Sequence, residues 1–388
     1  MSGYAFRPSR RIASIKPSGI RKFFDLLESM PEAISLGIGE PDFVTPWHVR
    51  ERGIYSLEKG YTKYTPNAGL SALREEISLY MKRHYGLHYD AKGQVLVTVG
   101  GSEAIDLCMR AVLDPDDEVI IPQPSFVCYA PIATLTGAKP VIIETRDKDL
   151  FRLTPAQLRG ALTDKTRMLV LPYPCNPTGA IMEKSDLEGI ADILRDRDIM
   201  VLSDEIYAEL TYGLTHASMA QLPGMAERTV VVNGFSKSHA MTGWRMGFAC
   251  ASRGIIEQMT KIHQYAIMSA PTTSQYAAIE ALQRGDDDIL SMCGEYDARR
   301  RFVVDALNGM GLPCFEPQGA FYVFPDIRPT GFSSEEFCER LLRDQEVAVI
   351  PGNSFGDSGE GFVRCCYASS MAQLIEAMDR IRRFIGKL

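Results

Sequence analysis

The sequence predicts an α/β fold, a doubly wound and mostly parallel sheet with a smaller α+β domain beside it. Three observations predict it. Six short β-rich runs recur between residues 94 and 250: "QVLVTVG" (94–100), "EVII" (118–121), "PVII" (140–143), "RMLVL" (167–171), "IMVLS" (199–203) and "TVVVN" (229–233). They are nearly continuous apolar runs, the pattern of strands covered by helices on both faces. The stretches between them carry helical periodicity, and strands that alternate with helices build a doubly wound sheet. After residue 285 the rhythm changes, with helical runs interleaved with shorter strands.

The elements follow in order. "SEAIDLCMRAVL" (102–113) sets Ala104, Ile105, Cys108, Ala111 and Val112 on one helical stripe. "TPAQLRGAL" (154–162) opens with Thr154 as N-cap and a proline at the first helical position. Beyond residue 285, "EYDARRRFVVDAL", "SSEEFCERLLRD" and "MAQLIEAMDRIRRFI" read as helices. "AFYVF" (320–324), "VAVI" (347–350) and "GFVRCCYA" (361–368) read as strands. At roughly 100–200 residues per domain, 388 residues suggest two domains. The expected division is a large domain over 46–284, and a small one made of 285–388 with an N-terminal arm, 1–45.

Composition bounds the function. Hydrophobic residues are 45% and charged residues 23%, ordinary for a globular chain. A net charge of −7 argues against a nucleic-acid partner, and no apolar run approaches the roughly 18 residues of a membrane span. The first 24 residues hold Arg7, Arg10, Arg11, Lys16, Arg21 and Lys22 and no acid. The charge is that of a transit peptide, but it also suits a basic arm of the mature fold, which is the reading taken. Nine cysteines without a CxxC pair indicate a reduced, cytoplasmic protein. Six scattered histidines without HExxH argue against zinc.

In open α/β sheets, ligands bind beyond the carboxyl ends of the strands. After 94–100 comes "GGSEAI", a glycine turn in which Ser102 can cap a helix whose free N–H groups suit a phosphate. Phe126 follows the next strand, placed to stack on a flat ligand or to fill the core. Asn176 lies in "PYPCNPTGA", a loop stiffened by prolines. Asp204 ends a buried strand, where a carboxylate needs a partner or caps a helix. Tyr207 stands three residues on. Lys237 follows the strand at 229–233, and Arg245, eight residues later, can return to grip a phosphate.

Taken together, the sequence resembles the class I/II aminotransferases of fold type I, which depend on pyridoxal 5'-phosphate. The resemblance is carried by "SLGIGEPDF" (35–43), "YTKYTPNAGLSALREEI" (61–77), "GGSEAI" (100–105), "NPTGA" (176–180), "SDEIY" (203–207), "FSKSHAMTGWRMGF" (235–248) and "GFVRCCYASS" (361–370). It is nearest to the prokaryotic aspartate and aromatic aminotransferases. The resemblance implies that Lys237 carries the cofactor covalently and moves the substrate proton. It implies that Asp204 pairs with the pyridinium nitrogen, that Asn176 and Tyr207 bind the ring oxygen, and that Phe126 stacks on the ring. The phosphate falls to the backbone of Gly101, Ser102 and Glu103, with Ser236 and Arg245. Tyr64 would reach the neighbouring subunit's phosphate, implying a homodimer. Arg364 would hold the substrate carboxylate, with Gly39, Phe126 and Asn176 lining the same site.

The implied reaction moves an amino group from an aromatic amino acid or aspartate to a 2-oxo acid such as 2-oxoglutarate, by a ping-pong course. The pattern departs at Cys366, where relatives often have serine, and Cys175 stands beside Asn176. Both are read as inert buried thiols or packing residues. A β-lyase on the same fold would share the cofactor residues. A cofactor-binding transcriptional regulator would need a DNA-binding module, and "SLGIGEPDF" already begins by residue 35. A nucleotide-binding protein would need GxxxxGK[ST] or a GxGxxG after a strand, and the sequence has neither.

Overall fold

A computed structural model describes residues 6–17, 19, 30 and 32–388. Arg21 and Lys22 of the basic arm lie outside the described residues. The strands in chain order are β1 (Ile34–Ser35), β2 (Val95–Thr98), β3 (Glu118–Gln123), β4 (Lys139–Glu144), β5 (Thr166–Leu171), β6 (Met200–Asp204), β7 (Thr229–Gly234), β8 (Gly247–Cys250), β9 (Tyr322–Val323), β10 (Val347–Ala348), β11 (Ile350–Pro351) and β12 (Val363–Cys366). Seven of them form one sheet in the order β2-β8-β7-β6-β5-β3-β4. Only β8 runs against its neighbours, antiparallel to both β2 and β7.

Successive side chains of a strand point to opposite faces, and here both faces are covered. Val95, Val97 and Val231 pack with Leu73 and Ile77 on one side of the sheet. Leu96, Val230 and Val232 pack with Ala104, Ile105 and Cys108 on the other. Val230, Val231 and Val232 are fully buried. Each such side chain contributes up to roughly 1.5–3 kcal/mol by leaving water. The expectation fails at "PVII": β4 is a sheet edge, and Ile142 is 41% exposed.

Strand β8 was not anticipated. "GFAC" is four residues long, lacks a β-branched residue and follows a glycine-rich run, so it carries little strand signal. Its first residue has a packing duty. A Cβ on Gly247 would lie 2.6 Å from the carbonyl carbon of Gly100 and 2.7 Å from the amide of Gly101. Glycine lets β8 run against the turn that opens the helix Gly101–Val112.

The three-stranded sheet β11-β12-β9 and the pair β1-β10 stand apart from the large sheet. They share a core with the helices Asp286–Gly309, Ser334–Gln345 and Met371–Ile385, including Leu36, Tyr296, Phe321 and Tyr367. The helix Asp286–Gly309 is longer than the sequence expectation. It opens on Asp286, Asp287 and Asp288, whose charges suit the positive end of a helix. Among the described residues, no helix is long and apolar enough to cross a membrane.

Candidate active site

A cavity of about 440 Å³ opens where the carboxyl ends of the large sheet meet β12 and the segment after β1. Eleven of the thirteen residues singled out from the sequence line it: Gly39, Gly101, Ser102, Phe126, Asn176, Asp204, Tyr207, Ser236, Lys237, Arg245 and Arg364. Two do not. The side chain of Glu103 turns away, accepting from the amide of Val99 at 2.5 Å and meeting His263 Nδ1 at 2.7 Å. Tyr64 lies outside the cavity of its own chain and is 82% exposed.

The turn after β2 prepares one end. The helix Gly101–Val112 starts behind Gly100 and has no side-chain cap. Ser102 is therefore inside the first turn and not the N-cap, a correction to the sequence expectation. Its hydroxyl is displaced from that role because the chain enters the helix one residue earlier, through Gly100 at φ 76°. The uncapped amides at this end can take an anion. Gly100 also makes room for Arg245: a Cβ there would come within 2.7 Å of the guanidinium. A cationic fork beside free helix amides is the chemistry that binds a phosphate.

Asp204 ends β6 and is buried. Its Oδ2 accepts from the Tyr129 hydroxyl at 2.7 Å and its Oδ1 from the amide of Ile206 at 3.2 Å. Burial pushes its carboxyl above the ordinary value, and those two hydrogen bonds act against the rise. A protonated ring nitrogen is the partner that would keep it ionised. Tyr207 lies in the turn after β6, three residues beyond Asp204, and lines the same cavity.

Lys237 lies in the turn beyond β7 and is partly buried. Its ammonium donates to the Gly39 carbonyl at 2.5 Å. Burial lowers its pKa to about 8; Arg364 and Arg245 push the same way, against Cys366 and Glu40. A lysine so placed is neutral for an appreciable fraction of the time, as a nucleophile must be.

Arg364 on β12 is the deepest cation of the cavity, 4% exposed. It donates from Nη1 to Asn176 Oδ1 at 2.8 Å and from Nη2 to the Gly37 carbonyl at 2.5 Å. Its buried Nε has no partner. No described carboxylate forms an ion pair with it, so an incoming carboxylate finds an uncompensated fork. The contact also aims Asn176: its oxygen is taken, leaving the amide N–H groups to donate elsewhere.

The two cysteines that depart from the family pattern are buried, and burial pushes Cys366 up to about 11 and Cys175 up to about 12. Neither is a thiolate at neutral pH. All nine cysteines are free.

Sequence reasoning missed several lining residues: Ile38, Glu40, Tyr129, Ile206, Thr242 and Tyr322. Tyr129 and Tyr322 had a readable signal. Each is a phenol inside an apolar run, and a buried hydroxyl needs a partner.

The fold and cavity fit the known proteins that this chain resembles. The model of the family "Aminotransferase class I and II" matches residues 31–381. An aspartate aminotransferase of Pyrococcus abyssi is 46% identical over 97% of this chain and 98% of its own. Aromatic-amino-acid aminotransferase 2 of Thermococcus litoralis is 45% identical over 97% and 98%. The crystal structure of an aromatic aminotransferase from Pyrococcus horikoshii superposes with a TM-score of 0.90 at 47% identity, over 94% of this chain and 99% of the other. With a match across most of its length and a cavity of this composition, the chain belongs to the class I and II aminotransferases, enzymes that use pyridoxal 5'-phosphate to move amino groups between amino acids and 2-oxo acids.

Proposed function

We propose that this aminotransferase binds pyridoxal 5'-phosphate in the 440 Å³ cavity and transfers the amino group of an aromatic amino acid or aspartate to a 2-oxo acid such as 2-oxoglutarate. The observation that supports this best is the convergence of Lys237, Asp204, Arg245 and Arg364 on one cavity, with Lys237 moved by burial toward its neutral form. When bound, the cofactor supplies an electron sink that makes the substrate Cα proton removable.

The remaining work falls to the chain. Gly101, Ser102, Glu103 by its backbone amide, Ser236 and Arg245 hold the phosphate. Asp204 holds a proton on the ring nitrogen, and Tyr129 holds Asp204. Asn176 and Tyr207 donate to the ring oxygen, and Phe126 covers one face of the ring. Arg364 binds the substrate carboxylate as a planar fork, which fixes the Cα beside Lys237. Lys237, as a neutral amine, would take the proton from the substrate Cα and deliver it to the cofactor's C4′ carbon, so that the substrate leaves as its 2-oxo acid. The large domain 46–284 carries the cofactor groups, and the small domain with the arm carries Arg364 and Gly39. The enzyme works as a homodimer, with Tyr64 donating to the phosphate in the partner's site.

Relatives of similar identity are named for aspartate, aromatic and N-acetyl-LL-diaminopimelate reactions. A donor panel with 2-oxoglutarate as acceptor tests the reading. An aromatic amino acid or aspartate should yield its oxo acid in one half-reaction. Release of pyruvate and ammonia from cysteine-type substrates, without amino transfer, would identify a β-lyase instead.

A further inference from the structure

Tyr322 of β9 was read from the sequence only as part of a short strand. It lies between two groups of the proposed mechanism. Its hydroxyl is 2.8 Å from the hydroxyl of Tyr207. The face of its ring lies 4.6 Å from the guanidinium carbon of Arg364. The strand pairing sets this up: Tyr322 is opposite Cys366, so β9 runs alongside the strand that carries Arg364. Gly39 completes the arrangement, because a Cβ there would lie 2.3 Å from the Tyr322 hydroxyl oxygen. Tyr322 is 1% exposed and Tyr207 4%. Burial raises the pKa of both phenols, so both stay protonated at neutral pH.

Two phenols at this distance share one hydrogen bond and own two protons. A neutral phenol has a single O–H to give. If Tyr207 donates to Tyr322, nothing is left for the cofactor's ring oxygen. If Tyr322 donates, the Tyr207 proton is free for the cavity. Arg364 over the face of Tyr322 draws electron density from that ring and makes its O–H the better donor. Each bond in such a chain strengthens the next.

We propose that Tyr322 is a positioning residue that donates to Tyr207, turning the Tyr207 proton into the cavity, while its ring braces the carboxylate-binding fork of Arg364. The inference rests on the reading that Tyr207 faces the ring oxygen. Glycine at position 39 is required because that hydroxyl occupies the space of its side chain.

The test uses the enzyme reconstituted with pyridoxal 5'-phosphate, by pH titration of its visible absorption and by steady-state kinetics. A hydrogen bond to the ring oxygen stabilises its anion, so loosening that bond raises the pH midpoint. Tyr322→Phe keeps the ring on Arg364 and deletes the hydroxyl. It should raise the midpoint in the same direction as Tyr207→Phe and lower kcat roughly tenfold, with KM for the donor within about threefold. The double variant should shift no further than Tyr207→Phe alone, since both act through one contact. Tyr322→Leu should in addition raise KM roughly tenfold through the loss of the ring beneath Arg364. A Tyr322→Phe enzyme with the wild-type midpoint, or single shifts that add in the double variant, overturns the proposal. An unchanged KM in Tyr322→Leu overturns the bracing of Arg364. A wild-type protein that takes up no visible band contradicts the cofactor reading itself, a failure distinct from these.

Discussion

At the scale of single residues, the cavity holds two charges away from their ordinary state, and each yields a prediction. Lys237 has its pKa lowered to about 8 by burial and by Arg364 and Arg245. Its neutral fraction therefore rises through that pH, well below the ordinary lysine range. Apoprotein should react with pyridoxal 5'-phosphate at a rate that climbs with pH to a plateau above about 8, as stopped-flow absorbance would record. A midpoint near the ordinary lysine value would contradict the burial argument. The stability linkage has the matching sign. A depressed pKa favours the folded apoprotein above the unfolded value, and the benefit is lost as pH falls through about 8. Asp204 is pushed the other way, upward by burial. Asp204→Asn cannot hold a proton on the ring nitrogen by charge. It should cut kcat on the order of 100-fold or more while the protein remains folded and binds cofactor. Wild-type turnover in that variant would show that the carboxylate has another task.

At the scale of elements, the phosphate end depends on one close approach, β8 against the turn at Gly100 and Gly101. Gly247→Ala would drive a methyl into backbone, 2.6 Å from the Gly100 carbonyl carbon. Overpacking of this kind costs typically 1–3 kcal/mol, and here the backbone that must yield carries the anion-binding amides. Both the unfolding midpoint and the cofactor affinity should fall. Gly254→Ala, on the helix Arg253–Ala266 with open space where its Cβ would go, should hold or raise stability by up to about 1 kcal/mol. An equal loss in both variants would refute the collision account. The same region marks the limit of what the sequence discloses. The six β-rich runs announced themselves because each is a nearly continuous apolar stretch, and five of the six are buried on both faces. "GFAC" did not, because its role is close backbone approach, which glycine and alanine serve without a hydrophobic signature. Asp204 and Lys237 were legible because a charge at the end of a buried strand demands a reason, whereas Arg364 was reached only through the family resemblance. Tyr322 was passed over because an aromatic in an apolar strand already has a packing reason, although its hydroxyl was the signal that it needed a partner. The edge position of β4 was hidden because its composition matches that of the covered strands.

At the scale of the whole molecule, the surface carries a feature that one chain leaves without a use. Tyr64 is 82% exposed and Tyr265 88%. Asn67 Nδ2 donates to the Met268 carbonyl at 2.8 Å, tying the segment after Tyr64 to the chain just beyond the helix Arg253–Ala266 that carries Tyr265. In the proposed homodimer, Tyr64 donates to the phosphate in the partner's site. Sedimentation should then give twice the chain mass of 43.1 kDa. Tyr64→Phe should weaken cofactor binding about tenfold without moving the unfolding midpoint of the apoprotein. A monomer with full activity would contradict the shared site.

The central claim, that the cavity is built around a reactive Lys237, is tested most directly by Lys237→Ala. The wild-type protein should show the long-wavelength absorption of lysine-bound pyridoxal 5'-phosphate and should convert an amino acid to its oxo acid. Lys237→Ala should keep its far-ultraviolet circular dichroism, lose that band and lose measurable turnover. A folded Lys237→Ala protein that keeps near-normal turnover would contradict the account.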